Sequence, residues 1–298
     1  LSGENRASLE DLENFYSQWL MYMEEPDHGR IKKLTNRPFS PQAVEKQTVL
    51  VEQRADILVA SLFNKKEMDI LTDFATPLAL YAMGNMLGIP EEDYPLILKW
   101  SHDLVGFLGA RNDVEKAKET QKTLGELSEY LEPVLAQGPD TIESDLLSVL
   151  VRGRQDGVLS DEELLAVVAN ILIDGHEPMA NVITNGMLAI LQNSEQLQLL
   201  QQNPSLIVSA VEEVIRFDPP FQYAARTALA DTILGRKQIK AGDRVQFMLG
   251  AANHDPNKFD NPDALDITRE PNPHSSFGFG IHYCPGARLG RTVVEKGI

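Results

Sequence analysis

Phe277-Gly278-Phe279-Gly280-Ile281-His282-Tyr283-Cys284-Pro285-Gly286 is the stretch on which the reading of this 298-residue chain turns. Cys284 is the only cysteine of the chain. An isolated cysteine is most often a small buried hydrophobe, but these neighbours change the expectation. Glycines bend the backbone, and Pro285 suits the first position of a following helix. A sulfur there meets open backbone N–H groups and the positive end of a helix dipole, which together stabilise a thiolate. Glycines also let a flat ligand approach the main chain closely. Other motif readings fail on spacing. Gly278-Phe279-Gly280-Ile281-His282-Tyr283 lacks the third glycine of a dinucleotide fingerprint. His176-Glu177 is followed by Pro178, Met179 and Ala180, so the second histidine of a zinc-protease helix is missing. There is no Gly-x-Ser-x-Gly elbow.

Upstream, the chain is helical in character. Leu9, Leu12, Phe15, Trp19 and Leu20 recur at three- and four-residue steps, as an amphipathic helix requires. Pro38 and Pro41 precede a helical pattern from Gln42 to about Phe63, and further patterns span 67–88, 91–110, 113–136 and 142–152. Pro90, Asn112-Asp113 and Gly138-Pro139 separate them. Ser160 with Glu163 forms a capping box, and Asp161 and Glu162 favour the positive end of the helix dipole. The longest pattern begins there and continues to about Gln192, with Pro178 inside it, where a kink is expected. Another helix runs from about Pro204 to Phe217. From Gln222 to Met248 the pattern becomes short and β-like, and 253–276 reads as an extended meander. The expectation is a mainly α fold with a small β component.

Composition narrows the partners. Lys and Arg number 27 against 44 Asp and Glu, a formal charge of −17. That balance argues against a nucleic-acid or anionic-membrane partner, since phosphate binding needs clustered positive charge. One cysteine excludes an internal disulfide framework and a zinc site built on several thiolates. No apolar run reaches the ~18–20 residues of a membrane span, no signal-peptide pattern is seen, and a cytoplasmic location is expected.

Phe277–Gly286 resembles the haem-binding signature of cytochromes P-450, Phe-x-x-Gly-x-His/Arg-x-Cys-x-Gly, and every fixed position matches. Glu213-Val214-Ile215-Arg216 matches the family's Glu-x-x-Arg. Asp174-Gly175-His176-Glu177 stands where the oxygen-binding groove of the long central helix belongs, and Asp27-His28 lies upstream. The resemblance spans essentially the whole chain and is closest to soluble bacterial members. It implies the P-450 fold, a long central helix with haem b (iron protoporphyrin IX) between it and the Cys-loop helix, in a single haem-binding oxygenase domain, residues 1–298. Both ends read as cuts through a larger protein, so the fold is expected to be incomplete at both termini.

Carried over by position, the resemblance makes Cys284 the axial thiolate of the haem iron. His282, His28, Lys32 and Arg226 become propionate partners, with Lys32 replacing the more usual arginine and losing its bidentate fork. Phe277 packs near the thiolate, and Gly278 and Gly286 shape the loop. Glu213 and Arg216 are a structural buried pair tied to the meander. Ile171, Asp174, Gly175, Pro178, Phe221 and Gln222 are candidates to line the substrate pocket.

Two departures stand out. The family's groove acid, here Glu177, is usually followed by a threonine that helps deliver protons; here Pro178 has neither hydroxyl nor backbone donor. Asp174 stands where a small apolar residue is usual, and a carboxylate there needs a partner or a raised pKa. Either a water or substrate hydroxyl replaces the threonine while Asp174 points into a solvated groove, or the chemistry is altered. In the second case peroxide use or a non-hydroxylating oxidation is open, with Asp174 binding a polar or cationic group of the substrate. The resemblance implies a monooxygenase that inserts one atom of O2 into a lipophilic small molecule of specialised metabolism, with electrons from a ferredoxin and its reductase. Arg30, Lys32, Lys33, Arg37, Arg288 and Arg291 are candidates for that docking face. A haem protein without turnover, or a fragment needing a complementary chain, are the competing classes.

Overall fold

A computed structural model describes residues 3–109 and 113–298. Helices dominate: α1 (Gly3–Ser17), α2 (Asp27–Thr35), α3 (Pro41–Leu62), α4 (Thr76–Leu87), α5 (Tyr94–Gly109), α6 (Val114–Leu135), α7 (Asp145–Gln155) and α8 (Asp161–Gln192). They are followed by α9 (Ser194–Gln202) and α10 (Ile207–Phe217), strands β1 (Ala224–Thr227), β2 (Thr232–Leu234), β3 (Lys237–Ile239) and β4 (Arg244–Phe247), and helices α11 (Leu249–Ala252) and α12 (Ala287–Gly297). The chain forms two compact units: 1–177 with 285–296, and 178–284 with 297–298.

In the first unit α5 packs on α6, α1 on α6, α3 on α4, and α2 and α4 on α7. Apolar residues of the stripe expected near the N-terminus are buried, but the helix is shorter than the pattern: α1 ends at Ser17, and Trp19 and Leu20 lie in the turn after it. Leu12, Phe15, Tyr16 and Trp19 are buried, and Tyr16 stacks on Phe107 of α5 with ring centroids 5.8 Å apart. The Tyr16 hydroxyl donates to the Leu104 carbonyl at 2.8 Å, so its polar tip is satisfied inside the apolar cluster. The capping box forms as well: the Glu163 amide donates to Ser160 Oγ at 3.1 Å and the Ser160 amide donates to Glu163 Oε2 at 2.9 Å. From this start α8 runs on through Pro178 to Gln192.

Several sequence-based boundaries shift. The pattern over 67–88 divides into a π-helical turn, Ile70–Ala75, and α4; that over 91–110 divides into a 3-10 turn, Glu91–Asp93, and α5. Asp113 caps α6, its carboxylate accepting from the Glu115 and Lys116 amides, while Asn112 lies outside the described residues.

The second unit carries the β component, two antiparallel pairs. Strand β1 pairs with β4, Arg226 opposite Val245, and β2 pairs with β3, Ile233 opposite Gln238. Its core is the apolar face of α10, with Ala210, Val211, Val214 and Ile215 buried, together with Leu249, Phe259, Leu265 and Ile267. Residues 253–276 form the expected meander without regular structure.

Candidate functional site

The cysteine loop is a closed turn. The Cys284 amide donates to the Phe277 carbonyl at 2.9 Å, the Gly278 amide to Ser275 at 2.9 Å, and the Tyr283 amide to Gly280 at 3.1 Å across a 3-10 turn, Gly280–His282. Gly278 and Gly280 adopt φ of +72° and +63°, the left-handed region where a Cβ costs about 1–2 kcal/mol. At Gly278 the nearest atom to an added Cβ is the His282 carbonyl oxygen at 3.5 Å, an ordinary contact, so backbone conformation rather than space selects glycine there. Helix α12 begins at Ala287, which places Pro285 in the turn before the helix and not at its first position. The Gly290 amide donates to the Gly286 carbonyl at 2.8 Å, so Gly286 caps the helix.

Cys284 is half-buried, and Phe279, Ile281 and Tyr283 beside it expose large apolar surfaces. The Phe277 ring lies 6.4 Å from Tyr283 and 5.9 Å from His274. His282 is half-buried on the same loop. Arg226 is exposed on β1, and its Nη1 donates to the adjacent Ala225 carbonyl at 2.7 Å. Phe221 and Gln222 are both exposed, and the Gln222 side-chain amide donates within its own segment, to the Pro219 carbonyl at 2.9 Å and to Asp218 Oδ1 at 3.2 Å.

Behind the loop stands a polar scaffold that is fully buried. Arg216 is bidentate on Glu213, at 2.8 and 2.7 Å, and donates to the carbonyls of Asn253, Pro262 and Ala264. Glu213 also accepts from the Asp266 amide at 2.9 Å, from Arg269 Nε at 3.0 Å and from Asn272 Nδ2 at 3.1 Å. Sequence reasoning missed the element that joins this pair to the cysteine loop. Asn253 accepts from the Ser275 amide at 2.8 Å and donates to Ser276 Oγ at 2.8 Å, while Ser276 Oγ donates to the Ile215 carbonyl at 2.8 Å. The only signal for Asn253 was its place at the start of an Asn- and Asp-rich meander.

In the first unit, His28 is buried on α2 with Nδ1 3.7 Å from Glu25 Oε1. Burial, and next the charge of Lys32 one turn on, hold its pKa below the usual imidazole value. Arg30, a candidate for the docking face, is held in place by ion pairs. Its guanidinium binds Glu163 at 2.5 and 3.0 Å, and also the Val158 carbonyl and Asp27, which fastens α2 to the start of α8. Lys33, Arg37 and Arg288 remain exposed.

On α8, Ile171, Asp174, Gly175 and Glu177 are all partly exposed. A Cβ on Gly175 would lie 2.6 Å from the thioether of Met83, which packs against the helix backbone. Asp174 Oδ2 accepts from Asn170 Nδ2, and burial of the carboxyl pushes its pKa up to about 7. Burial also raises Glu177, with His102 of α5 opposing the shift.

These signatures agree with the comparison with known proteins. The family model described as Cytochrome P450 matches residues 110–296. The biotin biosynthesis cytochrome P450 of Bacillus subtilis (strain 168) is 35% identical over 295 residues, covering 99% of this chain and 75% of that protein. The chain belongs to the cytochrome P450 family.

Among solved structures, P450BioI in complex with a hexadec-9Z-enoic acid ligated acyl carrier protein superposes with a TM-score of 0.90 at 34% identity, covering 97% of this chain and 75% of that one. The myxobacterial cytochrome P450 CYP267B1 in complex with myristic acid gives a TM-score of 0.91 at 33% identity, covering 100% and 74%. The mainly helical fold is thus the P450 fold. Cytochromes P450 bind haem b through a cysteine thiolate. The residues present fit that group. The chain's single thiol closes a glycine turn, flat apolar side chains stand exposed beside it, and imidazole and guanidinium donors suited to carboxylates lie on the same unit.

Proposed function

We propose that this cytochrome P450 is a haem-thiolate monooxygenase that inserts one oxygen atom of O2 into a lipophilic small molecule, with electrons from a ferredoxin and its reductase. The observation that carries the reading is the closed Phe277–Cys284 turn, which presents the chain's only thiol. When bound, haem supplies the iron at which O2 is activated, with a thiolate pushing electron density toward O–O cleavage.

The proposal assigns the following work to the chain within one oxygenase domain, residues 1–298. Cys284 would hold the haem iron through its thiolate, its position fixed by the hydrogen bond that its amide donates to the Phe277 carbonyl. His282 and Arg226, with His28 and Lys32 of α2, are the propionate partners, and Phe277, Gly278 and Gly286 shape the loop. Glu213 and Arg216 hold the loop from behind. Ile171, Gly175 and Phe221 form apolar substrate contacts. Gln222 acts mainly on its own segment, because its amide hydrogens are already donated there. Glu177 is the groove acid, its pKa raised by burial against the opposing charge of His102. Pro178 contributes no hydroxyl, so proton delivery at that position falls to water or to the substrate. A lipophilic substrate is supported by the fatty acyl ligands of two similar structures, and a cytoplasmic setting by the absence of any helix long and apolar enough to cross a membrane among the described residues.

The test is the carbon monoxide difference spectrum of the reduced, haem-loaded chain, followed by ferredoxin-driven turnover with lipophilic candidates. A strongly red-shifted Soret band with substrate-dependent reductant use supports the reading. An ordinary haem band overturns it.

A further inference from the structure

Asp174 is the charged residue of α8 that the monooxygenase reading leaves without a task. Its surroundings are built rather than accidental. Asn170, one turn earlier and 5% exposed, accepts the Leu20 amide on Oδ1 at 3.1 Å. That contact fixes the orientation of the Asn170 amide, so only Nδ2 is left to face Asp174, and it donates to Oδ2. The other carboxyl oxygen, Oδ1, has no hydrogen-bond donor among the described residues. A second acceptor comes from the same residue. Pro178, four positions on, has no N–H to give to the Asp174 carbonyl, the bond an ordinary helical residue would make.

The charge balance is one-sided. No lysine, arginine or histidine pairs with Asp174 among the described residues, from α8 or from any element packed on it. Met83 of α4, packed on Gly175, brings only a thioether. The charge that acts on Asp174 is another carboxyl, Glu177, one turn away, and His102 of α5 acts on Glu177 instead. A neutral hydroxyl at Oδ1 would satisfy an acceptor but not the charge. A lipid carboxylate there would add a third negative group. A cation satisfies both the oxygen and the field.

We propose that Asp174, aimed by Asn170, is a specificity-determining residue that selects lipophilic substrates bearing a positively charged nitrogen. This rests on the reading that α8 lines the substrate pocket of a haem-thiolate enzyme. The cation supplies the counter-charge that burial denies the carboxyl, and so draws Asp174 into its ionised form.

The experiment is isothermal calorimetry on the haem-loaded full chain with two probes of equal chain length, decyltrimethylammonium and 1-decanol. The quaternary nitrogen has no lone pair and does not ligate iron. Because Asp174 ionises near neutrality, the preference for the cation should rise about tenfold between about pH 5.5 and about pH 8.5. In Asp174→Asn the preference should be flat with pH, with helical circular dichroism unchanged. Equal affinities at high pH, or an unchanged preference in Asp174→Asn, overturns the proposal. If the variant does not fold, the pH series on the natural chain decides alone. The carbon monoxide spectrum of the same sample separates the two readings. A red-shifted band without a cation preference overturns this inference only, and an ordinary band overturns both.

Discussion

Arg216 and Asn253 exchange hydrogen bonds in both directions. Arg216 Nη1 donates to the Asn253 carbonyl at 2.8 Å, and the Asn253 side-chain amide donates to the Arg216 carbonyl at 3.1 Å. Both residues are fully buried, so each bond is made where water cannot substitute. Through Ser275 and Ser276 the same asparagine reaches the segment that leads into the cysteine turn. The end of α10 and the thiol-bearing loop therefore share one network. Asn253→Ala should cost about 2–4 kcal/mol, because it strands an amide, a hydroxyl and a carbonyl together. Urea unfolding measures the cost, and faster haem loss from the folded variant should accompany it.

Glu213 accepts from Arg216, Arg269, Asn272 and the Asp266 amide while wholly buried. Glu213→Gln removes the charge and turns one acceptor into a donor facing donors. Breaking a buried pair from one side costs about 3–5 kcal/mol, since the partner charge stays behind. The variant should express poorly or bind no haem. Asn272→Ala, which removes a single donor, should cost about 1 kcal/mol by the same assay.

What was legible in the sequence was what is local. The Ser160–Glu163 box and the Glu213–Arg216 pair join residues three apart, and spacing alone reveals them. Asn253, Arg269 and Ser276 were not legible, because their partners on α10 lie 37 to 61 residues away and are mostly backbone groups common to every residue. The anchoring of Arg30 was not legible for the same reason. In sequence it is one of a run of basic residues, yet its carboxylate partner is 133 positions distant. The Pro285 placement was two residues early: the helix begins at Ala287, with Pro285 and Gly286 in a turn between it and the closed cysteine loop.

The Arg30–Glu163 pair makes a pH prediction with a defined sign. Arg30 holds the Glu163 carboxyl below its usual range. A group whose pKa is depressed on folding contributes stability above its unfolded value, and loses it as pH falls through the folded one. Stability should therefore decline on acidification below about pH 4.3, the ordinary glutamate value. Arg30→Ala should flatten that part of the profile and cost about 1 kcal/mol at neutral pH, modest because the pair is partly solvated.

Asp174 predicts the opposite slope. Its pKa is raised to about 7 on folding, chiefly by burial. Between the ordinary aspartate value of about 3.9 and about 7, the folded chain keeps a proton that the unfolded chain has released. The unfolded state then binds fewer protons, so stability falls as pH rises through this window and levels off above it. Asp174→Asn is neutral at every pH and keeps the shape of the side chain. It should abolish this part of the slope and be more stable than the natural chain above about pH 7, with the two converging toward about pH 4. Thermal unfolding of both proteins across the window measures the difference. Parallel curves would show that Asp174 is already ionised in the folded chain, with a counter-charge that the packing of α8 does not reveal.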